Sequence, residues 1–193
     1  MTEFFEQNVV LENNRVKLVP FSEEHREGLL AIACDDSIWT YMGMTMKDEK
    51  ELDTYIENTV SERKSGKSYP FVIIDKETNE VAGSTRFGNI HFHNMRLEIG
   101  WTWYGKKFQG TGLNHACKYA LLSYVFEEMT FNRVQFSADL ENIRSQKAIL
   151  KLGATKEGVF RHNYVDEHGQ KRDDVYFSIV ADEWERLKRE VFQ

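Results

Sequence analysis

The sequence predicts a mixed α/β fold, a central sheet with helices on its faces, on three observations. Apolar residues alternate at period two in some short runs and recur at helical spacing in others, giving the order β-α-α-β-β-β-α-β-α-β-β-α. A loop with two glycines, Gln109-Gly110-Thr111-Gly112-Leu113-Asn114, joins a strand to a long helix. The chain has 193 residues, 41% hydrophobic and 29% charged, which suits one domain over residues 1–193 with a buried core.

Val9 to Val19 alternates after Glu12, with Val16 and Leu18 set against Arg15 and Lys17, and ends at Pro20 as a first strand. Ser22 then caps a helix that runs to about Cys34. The stretch Trp39 to Met46 is rich in Met and aromatic residues without a clean period, and reads as a loop over an apolar surface. Asp48, with Glu51 three residues on, resembles a capping box for a helix striped by Leu52, Tyr55, Ile56, Thr59 and Val60 and stopped by Gly66. Phe71 to Asp75 and Val81 to Phe87 form a hairpin about Glu77 to Glu80, and Leu97 to Trp103 completes a meander. Ala116, Cys117, Ala120, Leu121, Tyr124 and Val125 place a helix from Leu113 to about Met129. A strand over Arg133 to Ala138 follows, then a helix over Asn142 to Leu152 stopped by Gly153. Two strands joined at Asp166 to Gly169 come next, and Asp182 caps a last helix.

A net charge of −6 argues against general affinity for nucleic acid, which needs clustered cations. Cys34 and Cys117, the two cysteines, fall in helical segments and read as small core residues. His91 and His93 have no third ligand placed by spacing, so no metal is expected and both histidines should face solvent. Met1 to Val10 carries acids where a secretory signal carries bases, and no apolar run approaches the roughly 20 residues that span a bilayer. A cytoplasmic protein without membrane attachment is the expectation.

In an α/β sheet, ligands favour the carboxyl end of the strand that precedes a crossover helix, which directs attention to Trp103 through Asn114. Two glycines there let backbone approach a ligand, and the helix start offers unpaired N–H groups with about half a positive charge. A diphosphate matches such a site. On spacing alone, the glycines are equally compatible with a plain tight turn. Neither the dinucleotide fingerprint nor a P-loop is present.

Glu98-Ile99-Gly100-Trp101-Thr102-Trp103 before this loop and Asn142-Ile143-Arg144-Ser145 after it resemble the Gcn5-related N-acetyltransferase (GNAT) superfamily, in its branch similar to RimJ and RimL. The resemblance covers nearly the whole chain and implies the GNAT fold with acetyl-CoA as co-substrate. It implies that backbone amides of Gln109 to Asn114 bind the pyrophosphate; Gln109 and Gly112 match the family pattern, while Asn114 stands where a Gly or Ala is usual. Asn142 matches a residue that contacts the pantetheine arm, and Ser145, Ala148 and Gly153 continue the pattern. Many members carry a tyrosine acid seven residues after that Asn; here the position is Ile149, and the branch points instead to the hydroxyl of Ser145.

Attack on a thioester needs a neutral amine, and a lysine amine with pKa ~10.4 or an α-amine with pKa ~8 must first lose a proton at neutral pH. The resemblance assigns that proton to Glu98, directly or through a water. A solvent-facing strand carboxylate, or one paired with Arg96 or Arg133, is the plainer reading of Glu98. Backbone N–H groups at Trp101, Thr102 and Trp103 would face the acyl oxygen, on a strand that in this family splays from its neighbour to admit the pantetheine. The two tryptophans read equally as core. His115 reaches a CoA phosphate or simply packs. Trp39 and Tyr41, with Arg161 and Tyr164 in the stretch from Phe160, are the candidate residues for the acceptor, an amine of a protein N-terminus or small molecule. A CoA-binding sensor of the same fold without catalysis, or an unrelated α/β domain holding another phosphate ligand, are the rival functions. Monomer and homodimer both remain open.

Overall fold

Among the described residues, six helices and eight strands follow the expected order with a short helix added before it and the first strand split in two: α1 (Thr2–Glu6), β1 (Leu11–Glu12), β2 (Val16–Pro20), α2 (Arg26–Ala33), α3 (Glu49–Lys64), β3 (Tyr69–Asp75), β4 (Glu80–His91), β5 (Arg96–Tyr104), α4 (Leu113–Ser123), β6 (Arg133–Asp139), α5 (Ile143–Leu150), β7 (Thr155–Val165), β8 (Lys171–Val180) and α6 (Ala181–Glu190). The structure is a computed structural model and describes residues 2–192. Its strands form one sheet in the order β1-β2-β3-β4-β5-β6-β8-β7. Every neighbouring pair is antiparallel except β5 and β6, which the α4 crossover makes parallel. One apolar cluster lies between the sheet and α4, with Leu113, Cys117, Leu121 and Val125 against Phe71, Phe87 and Val134. A second lies under α2 and α3 on the other face, built on Leu29, Trp39, Leu52, Tyr55 and Trp103.

The ends of the elements depart from expectation for local reasons. Asn13 Oδ1 accepts from the N–H groups of Arg15 (2.9 Å) and Val16 (3.0 Å), and this side-chain turn splits the first strand so that β1 folds back on β2. Ser22 does not cap α2; its hydroxyl pairs with Glu24 and His25, and a 3-10 turn at Glu23–His25 precedes the helix. Asp48 does cap α3, accepting from Glu51 N–H at 2.9 Å, while the Glu51 carboxylate turns to Lys47 N–H. The helix over α4 continues past Ser123 as a wider π turn, Tyr124–Glu128, which leaves Val125 buried and Tyr124 stacked on Phe87. Asp182 lies inside the first turn of α6; Val180 is the N-cap, and its N–H is accepted by Glu183 at 3.0 Å. Of the two cysteines only Cys117 is buried, because Cys34 follows the last turn of α2 and is exposed. No helix among the described residues is long and apolar enough to cross a membrane.

Candidate active site

The parallel pairing of β5 with β6 runs through Arg96–Arg133, Leu97–Val134 and Glu98–Gln135. Beyond Glu98, β5 continues to Tyr104 and β6 to Asp139, with no further pairing between them. The outer edge of β5 is therefore open over its last six residues, in a sheet otherwise paired through its middle. Such an opening leaves backbone donors and acceptors free for an extended ligand chain.

At the end of β5 the chain makes a short 3-10 turn at Lys106–Phe108 and enters the glycine loop. Gln109 turns its side chain inward, donating to Tyr104 O at 2.9 Å, and Thr111 Oγ1 donates to Phe108 O at 2.9 Å. These two bonds fix the loop. Gly110 (φ +79°) and Gly112 (φ +87°) adopt the left-handed conformation, and a methyl group on either would meet nothing within 4 Å. The first bond of α4 is Ala116 N–H to Gly112 O, and the N–H of Leu113 has only a long contact to Thr111 Oγ1 at 3.4 Å. The N–H groups of Gly110, Thr111, Gly112, Asn114 and His115 have no protein acceptor among the described residues. A run of unpaired donors, open space before them and the positive end of a helix make an anion site that fits a diphosphate. His115 stacks on Phe192, ring centroids 4.7 Å apart.

Glu98 is only 4% exposed, yet no cation among the described residues pairs with it. Its Oε2 accepts from Asn89 Nδ2 (2.9 Å) and Gln135 Nε2 (3.0 Å), and its Oε1 from Ser137 Oγ (2.7 Å). Asn89 reaches it from an irregularity of β4 between Gly88 and His91, where Asn89 itself has φ +47°. Neither expected ion pair forms, for Arg133 binds Glu157. Ser137 lies opposite Tyr176 in the β6–β8 ladder, so Tyr176 and, two residues earlier, Asp174 share the face of Glu98. Burial, with the nearby charges of Asp139 and Glu98, pushes the Asp174 carboxyl above its usual range; the bond from Asn163 Nδ2 (2.7 Å) opposes this. None of Asn89, Gln135, Ser137, Asp174 or Tyr176 was singled out from the sequence. A signal existed in Gln135, Ser137 and Asp139, polar at every second position of a strand whose other face is apolar.

Midway along β5, Trp101 and Thr102 together oppose the single residue Thr85 of β4, a bulge in which Trp101 has φ +49°. The bulge sends the three predicted residues in different directions. The Trp101 ring lies over Gly88, where any Cβ would come within 2.3 Å of it. Thr102 Oγ1 turns to the α4 side and meets Thr85 Oγ1 (2.8 Å) and Lys118 Nζ (2.7 Å). Trp103 is a core residue, its indole N–H donating to Tyr55 OH at 3.1 Å.

Across the opening, Asn142 caps α5, its Oδ1 accepting from Ser145 N–H at 3.0 Å. The Ser145 hydroxyl, half-buried on the first turn, makes no hydrogen bond among the described residues. Ile149 is buried one turn on.

The acceptor candidates divide. Trp39 is 2% exposed, bonded to Ala33 O and packed on Trp103, which removes its side chain from any open surface. Tyr41 is exposed. Arg161 is exposed on β7. Tyr164 donates to Asp139 Oδ2 (2.7 Å); burial and that bond push its phenol well above the usual range. Burial works against the ionised form of Asp139, but bonds from Arg172 and Tyr164 outweigh it and hold its pKa low. A Cβ at Gly43 would lie 3.5 Å from the Tyr164 ring, so the Met-rich loop and the late strands do meet. A cavity of about 630 Å³ opens beside the Met-rich loop, lined by Met44, Glu51, Tyr55, Glu62, Arg86 and Trp101 among others.

Known proteins resemble this chain over most of its length. Residues 15–155 match the acetyltransferase (GNAT) domain model. Over 175 residues the chain is 29% identical to "Uncharacterized N-acetyltransferase p20" of Bacillus licheniformis, covering 90% of this chain and 97% of that protein. The crystal structure of a GCN5-related N-acetyltransferase from Brucella melitensis superposes with a TM-score of 0.88 at 26% identity, over 95% of this chain and 83% of that one. The ribosomal L7/L12 alpha-N-protein acetyltransferase RimL shares the fold, with a TM-score of 0.78 at 18% identity over 90% of this chain and 95% of that one.

Proposed function

The chain belongs to the GNAT acetyltransferase family, and from that premise we propose that it transfers acetyl from acetyl-CoA to a primary amine by direct attack within a ternary complex. The observation that carries the reading is the run of unpaired amides from Gly110 to His115 at the end of a strand whose edge is open beyond Glu98. Those amides hold the pyrophosphate, and the open edge of β5 receives the pantetheine. Acetyl-CoA supplies an activated acyl group as a thioester. The protein's part is to hold that group beside the Trp101–Thr102 bulge, whose backbone donors face the acyl oxygen, and to manage two protons. Glu98 takes one from the incoming ammonium, directly or through a water; as the C–N bond forms and the C–S bond breaks, the unengaged Ser145 hydroxyl gives a proton to the departing sulfur and is restored by the second proton the nitrogen loses.

The cavity lined by Trp101 and Arg86 is on the sheet face that carries Glu98, which makes it the acceptor's entrance. The branch similar to RimL supports a protein N-terminus as one class of acceptor, and a small amine fits the same route. The test is release of CoA thiol from acetyl-CoA in the presence of an amine panel, alongside thermal shifts with CoA, acetyl-CoA and ATP. Stabilisation by acetyl-CoA with thiol release on one or more amines is expected. Binding without release on any amine would leave a sensor, and preference for ATP would remove the family's cofactor.

Gly112→Ala probes the loop directly. A side chain at φ +87° costs about 1–2 kcal/mol of stability, and its methyl enters the space before the amides. The KM for acetyl-CoA should rise about tenfold, as for loss of one hydrogen bond to a charged group, with the KM for the amine little changed. An unaltered KM for acetyl-CoA would show that the phosphates bind elsewhere.

A further inference from the structure

Arg86 is 6% exposed on β4, opposite Gly100 and two residues from the Gly88 that faces Glu98. A guanidinium has five N–H donors. Here Nη1 donates to Glu62 Oε2 at 2.5 Å and Nη2 makes a long contact with Tyr55 OH at 3.4 Å, while Nε is buried with no partner among the described residues. Native interiors leave few such donors unpaired, because each costs on the order of 1–3 kcal/mol. The same guanidinium lines the 630 Å³ cavity, and what lies over it is the Trp101 indole, 5.7 Å from Cζ, a half-exposed side chain. An acceptor that displaces this ring reaches a preformed, under-used donor within two residue pairs of Glu98.

The charges around the cavity decide what kind of oxygen the donor takes. Glu62 already balances Arg86, and the lining as a whole holds Asp48, Glu51 and Glu62 against Lys50 and Arg86, one negative charge in excess. A carboxylate entering there meets net repulsion; a cationic or neutral amine does not. We propose that Arg86 determines acceptor specificity by donating to an uncharged oxygen close to the amine, so that amines bearing an amide or hydroxyl are used in preference to amino carboxylates and plain alkylamines. This rests on the transferase reading and on the cavity being the acceptor's entrance.

Phenylalaninamide, phenylalanine and phenethylamine share a ring and an amine and differ in the group that Arg86 would read. The measurement is the change in kcat/KM for each between the unaltered protein and Arg86→Lys, a ratio in which the amines' own pKa values cancel. Arg86→Lys should lower kcat/KM on the amide by about 10- to 100-fold, the worth of a hydrogen bond to a charged donor, and on phenethylamine by less than about threefold. Equal falls on both, or none on the amide, overturn the inference while leaving the transferase reading intact. Absence of thiol release with any amine overturns both together. Should Arg86→Lys fail to fold, Glu62→Gln decides: it keeps a bond to Arg86 and removes the opposing charge, so the preference for amide over phenylalanine should shrink at least fivefold. An unchanged preference counts against the inference.

Discussion

Glu98→Gln is expected to lower kcat/KM by about 10²- to 10⁴-fold, the usual worth of a general base, with little loss of stability. The surroundings of Glu98 make this a clean substitution. Asn89 and Gln135 both donate to Oε2, and Ser137 donates to Oε1. A glutamine can place its amide oxygen toward the two amide donors and its NH₂ toward Ser137, whose hydroxyl turns to accept. No buried group loses a partner, so a fall in turnover reports chemistry. Three bonds occupy most of the roughly four acceptor sites of a carboxylate, and the one remaining is what an amine or bridging water would use. Ser145→Ala should cost less, about tenfold, because a thiolate leaves more easily than an ammonium loses its proton to nothing.

Unchanged turnover in Glu98→Gln would move the role to Asp174, the other carboxyl on this face. Its pKa is raised, first by burial and then by the charges of Asp139 and Glu98. The two candidates separate by pH as well as by rate. If Asp174 is the base, removing the charge at Glu98 eases its ionisation, and the acid limb of the kcat/KM profile shifts to lower pH; if Glu98 is the base, the activity itself falls.

How far this centre could be read in advance depends on whether its parts are neighbours in sequence. The glycine loop and the strand before it are contiguous, so once that strand and the helix after it were placed, Gln109 through Asn114 read as an anion site or a plain tight turn. Glu98 came instead from the family resemblance of its strand. Its partners come from β4 and β6, and Asp174 from β8, which the chain places beside β6 by passing over β7. Alternation in Gln135, Ser137 and Asp139 shows a polar face but not what it faces. Trp39 failed for the opposite reason: an aromatic in a Met-rich loop suits a binding surface and a core lid equally, and packing against Trp103 chose the core. Lys118 gave no signal at all, since a lysine beside a helical stripe ordinarily runs its ammonium out to water.

That lysine is 5% exposed, with no carboxylate near enough to pair. Its Nζ donates to Thr102 Oγ1 at 2.7 Å and contacts Thr85 Oγ1 at 3.5 Å, directly beneath the Trp101–Thr102 bulge. Burial pushes its pKa down from 10.5 to about 8, slightly offset by Cys117. The unfolded chain thus binds the proton more tightly, and between about pH 8 and 10.5 it holds more protons than the folded one. Stability from this group rises with pH through that window, and the penalty is complete below it. A depression of about 2.5 units corresponds to roughly 3 kcal/mol. Lys118→Met removes the charge and keeps the length, while Thr85 and Thr102 retain each other at 2.8 Å. The variant should therefore be more stable at pH 7 by about 1–3 kcal/mol, or several degrees in Tm, and the gain should vanish as pH approaches 10.5. A loss of stability at pH 7 would show that the ammonium holds the bulge more strongly than burial opposes it. A gain would mean that the fold carries, under the strand proposed to face the acyl group, a cation it would be more stable without.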